Sequence, residues 1–138
     1  MEQSDAEEKD LARVEMSIIG DLVVPSRIDE IVGLSASVAW SKGAAHAGPR
    51  TGQTLHRYTG LWSIKVEDSD VEAAAIALLD RIEPLKQSLL IAAKEVSASI
   101  RIGIWWEPAA RQGGFTMSGA IWRRLVENAE RVDVYFPG

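Results

Sequence analysis

The sequence predicts an α+β fold: a two-layer sandwich whose mainly antiparallel four-stranded sheet carries helices on one face, ferredoxin-like, with inserted helices and a long loop. Two observations lead there. Segments 13–18, 61–66, 99–106 and 131–136 alternate polar and apolar residues, the period of strands with one buried face, which suits an antiparallel sheet covered on one side. The segments between them carry apolar residues at helical spacing, bounded by caps and breakers.

Arg13-Val14-Glu15-Met16-Ser17-Ile18 reads as the first strand, closed by Gly20-Asp21. Pro25 then precedes Ile28, Ile31 and Val32, and Gly33 follows. Proline in the first turn and glycine after the last punctuate a short helix. Leu61-Trp62-Ser63-Ile64-Lys65-Val66 alternates again and points Trp62, Ile64 and Val66 to one side. Ser69 with Glu72 spells a capping box ahead of a stripe of Val71, Ala75, Leu78, Leu79 and Ile82. Pro84 interrupts that stripe, giving two helices or one kinked helix that ends near Lys94. In Ser99–Trp106 the residues Ile100, Ile102, Ile104 and Trp106 face one way, and Pro108 stops the strand. A polar loop over 107–114 and a short extended piece at Phe115-Thr116-Met117 lead to a helix capped by Ser118. Arg131–Phe136 is the last strand. Leu22-Val23-Val24 before Ile28 and Val32 is echoed by Phe115-Thr116-Met117 before Ile121 and Leu125, as two strand-helix-strand halves would require.

The chain has 138 residues, enough for a single domain with a real core over 12–138, preceded by a frayed acidic terminus over 1–11. It contains no Cys, which fits a reducing compartment and excludes disulfides and thiolate chemistry. The acidic start lacks the apolar core of a signal peptide, and no run approaches a membrane span, so cytoplasm is the expected location and no membrane partner is expected.

Charge is distributed unevenly. Residues 33–66 contain Lys42, Arg50, Arg57 and Lys65 with no Asp or Glu, a contribution of +4 to a net charge of −5. Generic nucleic-acid binding is disfavoured, because few cations stand against a repelling background. Between Leu34 and Leu61 the chain reads as a loop, and loops beyond about 15 residues in compact domains are usually functional or disordered. Trp40, Lys42, Arg50, His56, Arg57 and Tyr58 are therefore the candidate binding residues, cationic donors beside aromatic walls. The alternative is that Trp40 plugs the loop onto the core while the charges are solvated. Trp105 joins the candidates because its neighbour Trp106 points the opposite way, so both cannot enter one core; Trp105 either lies under the long loop or anchors a partner. His46 and His56 match no zinc spacing, and no cofactor is expected.

Gly33-Leu34, Trp40, Lys42-Gly43, Arg57 and Gly60-Leu61-Trp62, followed by helices and a terminal strand ending Val134-Tyr135, resemble an uncharacterised bacterial family, domain of unknown function 4279. The likeness spans nearly the whole chain after residue 12, with Ser35 standing where a Pro is expected after the Gly-Leu pair. It implies a small α+β fold and brings no activity, substrate or catalytic residue.

A non-enzymatic binding module is the favoured expectation, contacting an acidic protein partner or a small anion through the 35–60 loop, with an immunity-type protein as one version. The alternatives are a homodimeric scaffold joined through the open sheet face, and an enzyme on a small anionic substrate with Lys42 and Arg57 as clamps and His56 as acid or base.

Overall fold

The computed structural model describes residues 10–109 and 114–136. The expected frayed terminus lies outside them as far as residue 9, as do residues 110–113 of the expected polar loop and residues 137–138.

In chain order the elements are β1 (Leu11–Gly20), α1 (Pro25–Val32), β2 (Val38–Trp40), β3 (Ala45–Ala47), β4 (Thr54–His56), β5 (Gly60–Asp68), α2 (Val71–Ile82), a 3-10 turn (Glu83–Leu85), α3 (Lys86–Glu95), β6 (Ser99–Glu107), α4 (Gly119–Glu127) and β7 (Arg131–Tyr135). A five-stranded, mainly antiparallel sheet runs in the order β2-β5-β1-β6-β7, and β3 and β4 form a separate two-stranded sheet. The fold is thus α+β, with a wider sheet than the four strands expected. The ferredoxin-like interleaving is absent as well: it would set another strand between β6 and β7, whereas these two are direct parallel neighbours, pairing Gly103 with Asp133 and Trp105 with Tyr135. The fifth strand, β2, comes from the stretch read as loop. It spans three residues, too few for alternation to reveal, and pairs Ala39 with Trp62 and Trp40 with Leu61 on β5.

The described residues divide into two compact units, one made of residues 10–16, 65–83, 101–109 and 114–136, the other of residues 17–64 and 84–100, with β1, β5 and β6 contributing to both. In the unit containing residues 17–64, α1 packs with α3. Proline opens α1, and Gly33 closes it at φ 78°, a left-handed backbone that glycine adopts without strain, donating its N–H to Asp29 O. The Arg27 guanidinium grips Glu95 of α3 with two hydrogen bonds of 3.0 and 2.9 Å. Ile28, Trp62, Ile64 and Leu89 are among its buried residues. Full burial of one such side chain contributes about 1.5–3 kcal/mol.

In the other unit α2 packs with α4, and α4 with β7. Val14, Met16, Leu78, Leu79, Ile102, Ile104, Trp106, Ile121 and Leu125 are buried there. The capping box expected at Ser69 and Glu72 does not form. Asp70 caps α2 by accepting from Ala73 N at 2.9 Å, while Glu72 accepts from Ser118 N at 2.7 Å and so ties α2 to the start of α4. Ser118 caps α4 as expected, accepting from Ile121 N. Arg124 of α4 donates to both Glu83 oxygens, at 2.6 and 3.0 Å, and to Asp80, and these carboxylates, Glu83 foremost, raise its pKa. Phe115-Thr116-Met117 forms no strand; Phe115 meets Trp106 edge-on, with ring centres 5.4 Å apart.

Candidate functional site

The stretch expected as one long loop is built as a hairpin. β3 and β4 pair antiparallel, Ala45 with His56, His46 with Leu55 and Ala47 with Thr54. Gly43 N donates to Arg57 O at 2.7 Å and Arg57 N to Ala44 O at 2.9 Å, extending the pairing to the base. At the tip, Gly48 N donates to Gln53 O and Arg50 N to the Gln53 side chain.

Several of the cations and rings of this stretch have partners of their own. Trp40 is half-buried on β2, and its indole donates to Thr59 O at 3.1 Å. Arg57 lies over the Trp40 ring, its guanidinium carbon 3.7 Å from the ring centre. Lys42 forms an ion pair with Asp21 at 3.1 Å; hydrogen bonding from Lys42, and secondarily from Thr59, holds the Asp21 carboxyl below its ordinary value. Arg50 and His56 are exposed, and Tyr58 is 88% exposed. Asp21 therefore compensates a charge that the count over residues 33–66 leaves open.

Trp105 finds an aromatic and a cationic neighbour within its own sheet. Its ring stacks on Tyr135 of β7, centres 4.7 Å apart and planes at 16°, and the Arg13 guanidinium of β1 sits 4.3 Å from its centre. The parity of the strands puts Arg13, Trp105 and Tyr135 on one face, and the order β1-β6-β7 turns that shared face into a row. Gly103 completes the arrangement, because a Cβ there would stand 2.6 Å from the Trp105 ring. Arg13 Nε is buried without a hydrogen-bond partner, and Glu15 Oε1 stands 4.0 Å away.

Beside this row lies a groove of about 690 Å³ lined by Arg13, Trp105, Tyr135 and Phe136 together with the carboxylates Glu67, Asp68 and Glu107. Its residues come from the first part of β1, the ends of β5 and β6, and the end of β7 with the residue after it. Alternation along β1 and β7 sets Arg13 and Tyr135 on the face opposite their apolar neighbours, whereas no sequence pattern marks Glu67, Asp68 or Phe136. The available signal was a common parity along three strands; their lateral order was missing.

Among the described residues no group of three or more His, Asp or Glu side chains is arranged to hold a metal ion, and no helix is long and apolar enough to cross a membrane. Searches of curated proteins and of solved structures gave no significant match. The family comparison is positive: the family described as Domain of unknown function (DUF4279) matches residues 10–135, nearly the whole chain, and this protein belongs to it.

Proposed function

We propose that the chain is a non-enzymatic binding module whose β3–β4 hairpin contacts an acidic surface of a protein partner. The observation that carries this reading is Tyr58, 88% exposed at the foot of a paired hairpin. Tyrosine combines a large apolar body with a polar tip and little conformational entropy to lose, which makes it a common anchor of protein contacts. The same hairpin segment exposes Leu55, His56 and, at its tip, Arg50, and there is no carboxylate side chain from 33 to 66. With Lys42 engaged by Asp21 and Arg57 laid on Trp40, the geometry favours a spread contact over a small-anion pocket.

Affinity capture from lysate tests it, comparing the native chain with a Tyr58→Ala/Arg50→Glu variant whose changes lie on exposed positions. A protein retained by the native chain, lost from the variant and released by added salt is the expected result. Equal recoveries from both chains would overturn the reading.

A further inference from the structure

We infer that the groove beside Trp105 is a binding site for a small organic cation, a primary amine or guanidinium on an apolar body. The groove involves none of the hairpin residues, so the inference stands apart from the reading above.

The sign of the lining selects the ligand. Among the described residues, Glu67, Asp68 and Glu107 line the groove with Arg13, three carboxylates against one guanidinium, a net of −2. Arg13 is also committed, its planar group lying on Trp105 near Glu15. An anion would meet a surplus of like charge, whereas a cation gains attraction from Glu67 and Glu107, both exposed at the rim.

Ring placement points the same way. Trp105 has one neighbour in Arg13 and another in Tyr135, so it serves as a wall and not as an open platform. Tyr135 and Phe136 are 42% and 61% exposed and present apolar and aromatic surface next to the carboxylates. Aromatic faces attract ammonium and guanidinium groups and cover methylene chains, and carboxylates supply the charged hydrogen bonds. Arg57 over Trp40 and Arg13 over Trp105 are two such cation–ring contacts already made within the chain. Size favours a free small molecule: about 690 Å³ falls within the range of ligand pockets, roughly 300–1,000 Å³.

The test is titration of the full chain with spermidine and with arginine methyl ester, followed by tryptophan fluorescence and calorimetry, with glucose and citrate as neutral and anionic controls. At least one of the two cations is expected to bind in the micromolar range and to weaken with added salt. Glu67→Gln/Glu107→Gln, with its far-ultraviolet spectrum unchanged, is expected to bind about tenfold less tightly, as befits loss of charged hydrogen bonds. The Tyr58→Ala/Arg50→Glu variant should bind the cations as the native chain does. Citrate or glucose binding as tightly as the cations, cations binding the Gln variant unchanged, or a lysine-rich peptide binding where both free cations fail would each overturn the inference.

Discussion

Two buried indoles share one device. Trp62, 0% exposed, donates to Asp29 Oδ1 at 2.7 Å, and Trp106 donates to Asp10 Oδ2 at 3.2 Å. Each ring brings apolar area into the core and a polar N–H that must be satisfied there. Asp29→Ala would leave the Trp62 donor without this acceptor, so a loss of about 1–3 kcal/mol is expected in urea unfolding. Asp29→Asn keeps a carbonyl oxygen at that place and should lose distinctly less; equal losses would show that packing, not the hydrogen bond, matters. Strand parity announced both rings as core residues. Their acceptors lie 33 and 96 positions away in sequence, a separation at which spacing carries no signal.

Local rules gave the helices their limits but assigned one cap to the wrong side chain. Ser69 and Glu72 fit the capping-box spacing, yet Asp70, one residue on, accepts from Ala73 N, and Asp68 accepts from Asp70 N. The physical reason is that Glu72 is recruited by Ser118 N, so the reciprocal half of the box is not available. Asp70→Ala should therefore destabilise the chain by about 0.5–2 kcal/mol. Ser69→Ala should stay within about 0.5 kcal/mol of the native value. Chemical denaturation of the two variants checks this, and the reverse order would restore the Ser69 cap. The stretch from 34 to 60 shows the opposite limitation. Its strands β2, β3 and β4 hold three residues each, below the length at which alternation can be told from chance, and partners alone define them.

Charge shows how the folded chain revises a count along the sequence. The carboxylates of Asp21 and Glu95 are lowered in pKa mainly by hydrogen bonds from Lys42 and Arg27 respectively. A lowered folded-state pKa means that the stabilisation is present above the unfolded values, about 3.9 for Asp and 4.3 for Glu, and is lost as pH falls through the folded ones. The melting temperature should accordingly drop below about pH 4, and a Lys42→Met/Arg27→Met variant, lacking both partners, should lose less over the same interval. Parallel pH dependence in the two proteins would place the acid sensitivity elsewhere. In the same way, one of the four positive charges over residues 33–66 is compensated once Asp21 lies against Lys42.

Periodicity and punctuation suffice for the α+β class, the buried faces of β1, β5 and β6, the breaks at Gly33 and Pro84 and the Ser118 cap, because all of these are set by neighbours within a few residues along the chain. Strand order, the parallel closure of β6 with β7, the conversion of a long loop into a hairpin, and the meeting of Arg13, Trp105 and Tyr135 beside three carboxylates depend on which segments lie side by side. That choice is made by the packing of residues remote in sequence, so the groove exists only in the folded chain.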